Sequence, residues 1–168
     1  MANQVNNAYP IFDGIAPSWA DVQMEISATG APLLKMEDFK AINSASAIDV
    51  GEQRGATGGR VKKRTTGAEK LTSGATIYQS GFLQLLDMLS NIAPKRGDEC
   101  VISLVHFNLV YRWTPLTDSN IYEIRLGGCR LIGDDSKTTE GTDADTVECV
   151  LSIIKRTRMV NGKKLVML

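Results

Sequence analysis

Residues 19–30 read Trp-Ala-Asp-Val-Gln-Met-Glu-Ile-Ser-Ala-Thr-Gly. In an extended chain Ala20, Val22, Met24, Ile26 and Ala28 share one face, and Asp21, Gln23, Glu25, Ser27 and Thr29 share the other. Side chains of a strand alternate with period 2, so this pattern marks a strand with one buried and one wet face, the usual state in an antiparallel sheet.

The chain on either side fits that beginning. Residues 1–18 carry Pro10 and Pro17 and no periodicity, which predicts an arm or loop. Residues 39–50 form a weaker strand rich in small residues. Phe82, Leu85, Leu86 and Leu89 recur at helical spacing, with Ser80 as N-cap and Asn91 and Pro94 as the stop. Residues 99–113 read as one long strand, apolar on both faces and covered on both sides, with His106 in its middle. Residues 121–131 and 147–159 are further strands. Asn161-Gly162 is a strong hairpin signal before a last strand at 163–168. The expected fold is mainly β. It is an antiparallel β-sandwich or barrel with one flanking α-helix and a long glycine-rich hairpin, in a single domain over 1–168.

Two segments stand apart by charge. Between residues 50 and 66, Gly51, Gly55, Gly58 and Gly59 accompany Arg54, Arg60, Lys62, Lys63 and Arg64, and Val61 is nearly alone as a large apolar residue. A hairpin of this composition cannot bury itself, so it is expected to be mobile or to find a partner surface. From 134 to 148 the chain holds six acids (Asp134, Asp135, Glu140, Asp143, Asp145, Glu148) and one base, which predicts a polar acidic loop over 134–145.

Composition excludes several classes. The 168 residues are 43% apolar and 23% charged, within the globular range. Nineteen basic residues balance nineteen acidic ones, so the chain is not a bulk electrostatic binder of DNA or anionic lipid. It also lacks the self-repulsion that keeps monomers apart. No apolar run approaches the ~20 residues of a membrane helix, and the first residues do not have the pattern of a secretory signal. A protein made in a cytosol is expected.

Chemistry is hard to find. His106 is the lone histidine, and Cys100, Cys129 and Cys149 are widely spaced, against the close pairs of a zinc site. Buried or half-buried free thiols in strands are expected, with an inter-subunit disulfide left open by the odd count. Cys100 and His106 lie too far apart along an extended strand to form a dyad. Asp134-Asp135 and Asp143/Asp145 read as solvated surface, with calcium as the alternative. The stretch Gly55-Ala-Thr-Gly-Gly-Arg-Val-Lys-Lys fails the P-loop spacing. The basic run lacks neighbouring aromatics for base stacking. No catalytic residue, cofactor or metal is expected, and the chain does not read as an enzyme.

Several segments together resemble phage tail tube proteins, the inner tube of contractile tails. They are the strand beginning at Trp19, Ile48-Asp49-Val50-Gly51-Glu52-Gln53-Arg54-Gly55, Arg64-Thr65-Thr66-Gly67, and Ile77-Tyr78-Gln79-Ser80-Gly81 with Leu85, Leu86 and Leu89. The last is Val147 to Ile154 leading into Val160-Asn161-Gly162-Lys163-Lys164-Leu165-Val166. The resemblance implies a virion protein. Hexameric rings would stack into a hollow tube, strands would line the lumen, and DNA would pass through it transiently. It implies sheath, baseplate and terminator partners and no membrane anchor. It also implies a hairpin that reaches a neighbouring ring, placed on Gly51, Glu52, Arg54, Gly55, Gly58, Gly59, Arg60, Lys62, Lys63 and Arg64. The related type VI secretion tube, a baseplate tube protein and a monomeric ligand-binding barrel are the alternatives.

Two expectations follow for the charges. Most of Arg54, Arg60, Lys62, Lys63 and Arg64 should face protein, because five fixed cations per subunit would hold phosphates tightly. Asp134, Asp135, Glu140, Asp143 and Asp145 form a candidate complementary loop for the basic hairpin of a neighbour.

Overall fold

The computed structural model describes residues 22–54, 61–114, 120–138 and 144–165, with the backbone alone at 49, 54, 61–63, 65 and 66. The expected N-terminal arm, the hairpin tip at Gly55, Gly58, Gly59 and Arg60, and Glu140 and Asp143 lie outside these residues. Strands in chain order are β1 (Gln23–Ser27), β2 (Leu34–Met36), β3 (Phe39–Arg54) and β4 (Val61–Tyr78). The helix α1 (Gln79–Ile92) follows, then β5 (Lys95–Arg96), β6 (Glu99–Cys100), β7 (Phe107–Trp113) and β8 (Tyr122–Lys137). The chain continues through β9 (Thr146–Ser152), β10 (Lys155–Val160) and β11 (Lys163–Leu165).

The hydrogen-bonded ladder runs β2-β1-β7-β8-β9-β4-β3, with β10 also on β8 and β11 on β10. All pairs are antiparallel. One strand belongs to both layers. The first part of β8 pairs with β7 and β10, and its second part, from Arg130 to Lys137, pairs with β9. The switch falls beside Gly128, at φ 65, where the β7–β8 register also shifts. A bend or bulge is the normal device by which a strand turns a sandwich corner. The chain from β9 to β10 turns the same corner, and Ile154 N–H donates to the Gly127 carbonyl at 3.1 Å. The first sheet is thus β2-β1-β7-β8-β10-β11, and the second is β8-β9-β4-β3.

The β1 alternation is as expected. Met24 and Ile26 are buried at 2% and 1% exposure, and Glu25 points out. Met36, Phe107, Leu109, Leu126, Ala75, Ile77, Val147, Cys149 and Leu151 share the core with them, as do Phe82, Leu85, Met88 and Leu89 of α1. Each fully buried Leu, Val or Phe contributes about 1.5–3 kcal/mol over exposure.

Five expectations are corrected. Residues 99–113 are not one strand. The short hairpin β5–β6 is followed by a 3-10 turn at Ile102–Leu104, where Val105 N–H bonds back to the Ile102 carbonyl. A run that is apolar on both faces suits a turn packed on a sheet edge as well as a strand. What remains, β7, buries one face only: Phe107, Leu109 and Tyr111 lie inward and His106, Asn108 and half-buried Val110 do not. His106 is therefore an exposed residue before β7, not a mid-strand one. Ser80 is not the N-cap. Tyr78 is, without a side-chain cap, while Ser80 Oγ donates to Asp38 Oδ2 at 2.7 Å and the Asp145 carbonyl takes the first helical N–H, that of Gln79. Residues 147–159 break at Ile153 and Ile154 into β9 and β10. Asp134 and Asp135 are strand residues of β8, opposite Cys149 and Glu148. The Asn161-Gly162 hairpin stands as read, with φ of 49 and 76.

Candidate assembly surface

The β3–β4 hairpin is longer than residues 50–66. Its register runs from Phe39 opposite Ile77 out to Arg54 opposite Val61. β9 supports β4 only from Ser73 to Tyr78. Residues 61–72 of β4 therefore pair with β3 alone and project as a two-stranded arm. At about 3.4 Å per residue the arm reaches roughly 25–30 Å from its root to Arg54. Val50, Gly51, Glu52, Gln53, Arg64, Gly67, Glu69 and Lys70 are all exposed on it. An isolated two-stranded ribbon is marginal in water, and nothing in its composition gives it a core.

Of the named arm residues, the backbones of Gly51, Glu52, Arg54, Lys62, Lys63 and Arg64 lie on this ribbon. Arg64 Nε stands 4.0 Å from Glu52 Oε1. The side chains of Arg54, Lys62 and Lys63 and the whole of Arg60 fall outside the described set, so the expected facing of those cations stays an expectation. The acids among the described residues do not form one loop. Asp134 shares the inner side of the second sheet with Cys149, Asp135 shares the outer side with Glu148, and Asp145 sits at the start of β9. Lys137 bonds Glu148, and that bond, with the Glu148 and Asp135 charges, raises the Lys137 pKa.

The root of the arm holds polar contacts that sequence reading missed. Ser44 Oγ of β3 and Tyr111 OH of β7 are 2.6 Å apart, and Arg156 of β10 reaches both Ser44 and Ser46. The signal is the pair Ser44 and Ser46, two residues apart on the inner face of β3, but the run Lys155–Val160 gives no hint of an inward arginine. On the outer face of the first sheet, Arg112 pairs with Glu25 at 2.7 Å and lies 3.8 Å from Glu123, which Arg125 also holds.

The second sheet carries two free edges among the described residues. β3 pairs only with β4. β8 beyond Arg130 pairs only with β9, and Arg130 itself donates to the Ser103 carbonyl at 2.6 Å. Its outward face presents Ala41, Asn43, Ala45 and Ala47 of β3 beside Thr72, Gly74 and Thr76 of β4. Of the cysteines, Cys129 and Cys149 are buried as expected, whereas Cys100 departs from that expectation and is exposed, on the short β6 outside the core. Burial pushes the Cys129 thiol up to about 11 and the Cys149 thiol up to about 12. Among the described residues no three His, Cys, Asp or Glu side chains come together as a metal site, and no helix is long and apolar enough to cross a membrane.

A two-layer β fold with one helix and a projecting hairpin arm has close structural relatives. The chain superposes on one in the six-fold symmetrised anti-feeding prophage baseplate with a TM-score of 0.65, covering 89% of this chain and 97% of that one at 9% identity. The fold is that of contractile injection system tube proteins. A chain of the anti-feeding prophage tube-terminating cap matches with a TM-score of 0.57, over 91% of this chain and 97% of that one at 9% identity. A chain in the sheath-tube complex of an extracellular contractile injection system in its extended state matches at 0.54, over 82% and 88%, again at 9% identity. No protein-family model and no curated protein matches the sequence. The tube-protein fold therefore agrees with the resemblance read from the sequence, at the level of architecture.

Proposed function

We propose that this chain is the structural subunit of the inner tube of a contractile tail. Copies close into hexameric rings, the rings stack into a tube, and DNA passes transiently through the lumen. Sheath, baseplate and terminator proteins are its partners, and its place is the virion tail. The observation that carries the reading is the β3–β4 arm, a ribbon of about 25–30 Å that pairs only with itself along most of its length. A neighbouring ring supplies the surface it lacks.

The second sheet supports ring closure. Its four strands alternate in direction, and its two free edges are β3 and the end of β8. With an even number of strands, β8 of a second copy meets β3 antiparallel when both copies have the same orientation. Such head-to-tail contacts close into a ring when the rotation allows. Long open edges are otherwise an aggregation hazard. The first sheet and α1 both lie on the core side of the second sheet. A ring has more room outside than inside, so this bulk lies outward and Ala41, Asn43, Ala45, Gly74 and Thr76 turn to the channel. Beside them on this face stand Val150, Asp135 and the Lys137–Glu148 pair, so the face carries no excess of cations to hold a polyanion.

The experiment is light scattering and electron microscopy of the purified chain. Rings six subunits around and stacked tubes are expected, and a monomer at high concentration would remove the proposal. Deleting residues 55–62 should leave a folded protomer that forms no tubes. A related reading, a tube of an injection particle that delivers protein, is favoured by the neighbours' sheath-tube setting. Nucleic acid in purified particles separates the two.

A further inference from the structure

The arm leaves the sandwich at one place. Ser73 is the last β4 residue before the arm that β9 supports, through Leu151, and Ser44 stands opposite it on β3. Ser46, opposite Leu71, is already on the unsupported side. Across this step lies Arg156, whose Nε donates to Ser44 Oγ at 3.0 Å and whose Nη1 donates to Ser46 Oγ at 3.2 Å. Ser44 Oγ also pairs with the hydroxyl of Tyr111, a core residue only 7% exposed. Ser73 Oγ donates to the Asn43 carbonyl at 3.0 Å, tying β4 to β3 at the same level.

We infer that Arg156 is a positioning residue for the arm: its guanidinium, bridging Ser44 and Ser46, fixes the angle at which β3–β4 leaves the sandwich. The inference rests on the tube reading for its consequence, the presentation of the arm to the next ring. The physical case rests on the protomer alone. A two-stranded ribbon twists and bends freely unless held. Small errors at the root are magnified at the tip, about 25–30 Å away. The planar guanidinium offers donors in a fixed fork, so two acceptors two residues apart on one strand define the strand's direction as well as its distance. Tyr111, locked by the core, supplies the fixed reference. The bridge joins β10 of the first sheet to β3 of the second, so it also closes the sandwich at the mouth from which the arm emerges.

Three variants test it: Arg156→Met, which keeps the apolar stem; Ser44→Ala with Ser46→Ala, which leaves the charge in place; and all three together. Hydrogen exchange of the free protomer is the first readout. Amides at the root, 44–48 and 69–73, should lose protection about tenfold in each variant, while those of Leu126 and Val147 keep theirs. The concentration at which tubes appear should rise about tenfold, and the triple variant should be no worse than either parent set. Arg156→Lys should not restore wild-type behaviour, because one ammonium does not bridge both serines in a fixed plane. Unchanged root protection in the serine variant would overturn the inference, as would losses that multiply in the triple variant. Failure of the wild-type chain to make tubes would count against the tube reading alone, because the exchange experiment on the protomer still decides the clamp.

Discussion

Gly128 and Ile154 are packed so closely that a Cβ on the glycine would stand 2.7 Å from Ile154 Cδ1 and 3.1 Å from its Cβ. The contact lies where β8 and the β9–β10 link both turn from one sheet to the other. Gly128 has φ 65, so alanine there meets left-handed strain of about 1–2 kcal/mol besides the clash. Gly128→Ala is expected to destabilise the protomer by about 1–3 kcal/mol. Urea unfolding measures it, with an unchanged slope if the denatured state is unaffected.

Gly81 gives the same outcome by another route. It lies in the first turn of α1, where alanine gains about 1 kcal/mol of helix propensity over glycine. An added Cβ would sit 2.6 Å from the Asp38 carbonyl oxygen and 2.8 Å from Met36 Sδ. The backbone oxygen cannot move without shifting the β2–β3 link, so the clash outweighs the propensity. Gly81→Ala is expected to lower stability by about 1–3 kcal/mol, read from the thermal midpoint. A more stable variant would show that the helix can slide.

Much of this architecture is legible where one periodicity excludes the other. The Met24, Glu25, Ile26 alternation admits only a strand, and Asn161-Gly162 supplies the two positive φ values that a tight hairpin needs. The run Val101 to Leu104 fits strand and turn alike, and tertiary packing decides. Asp134 and Asp135 look like a loop by composition, yet backbone pairing with β9 holds them in β8. The length of the arm was half visible. Its glycines and cations marked residues 50–66, but only the place where β9 stops supporting β4 shows that the ribbon begins near Ser73. The Arg156 bridge was invisible, because a partner more than 100 residues away leaves no local pattern.

The thiols predict a pH dependence. Burial favours the neutral form, which is why Cys129 and Cys149 are raised from 9.0 to about 11 and about 12. The folded chain then holds protons that the unfolded chain has lost, so this stability is whole below pH 9 and declines as pH rises through 11–12. Cys100 is exposed and should react with a maleimide in the native state near pH 8, and the other two only in denaturant. Three fast-reacting thiols in the native protein would contradict the burial.

The last prediction concerns charge between subunits. The basic arm and residues 134–148 are the most polarised segments of a chain with no net charge. Asp134 and Asp135 are held in β8 on opposite faces, and Glu148 is engaged by Lys137. That leaves Glu140, Asp143 and Asp145, and of these Asp143 and Asp145 are the pair to test against Lys62 and Lys63 of a neighbour. One exposed pair contributes about 0.2–1 kcal/mol, and repetition around a ring of the proposed size brings this to roughly 1–6 kcal/mol per ring junction. Charge complementarity of this kind sets orientation and register more than affinity. Asp143→Lys with Asp145→Lys should raise the concentration needed for tubes, and more so at low salt, where screening is weak. Adding Lys62→Glu and Lys63→Glu on the same chain should recover part of the loss. Normal assembly of the first double variant at low salt would mean that the acidic segment points to solvent or to an enclosing sheath, with Asp49, Glu52 and Glu69 of neighbours as the arm's remaining candidate partners.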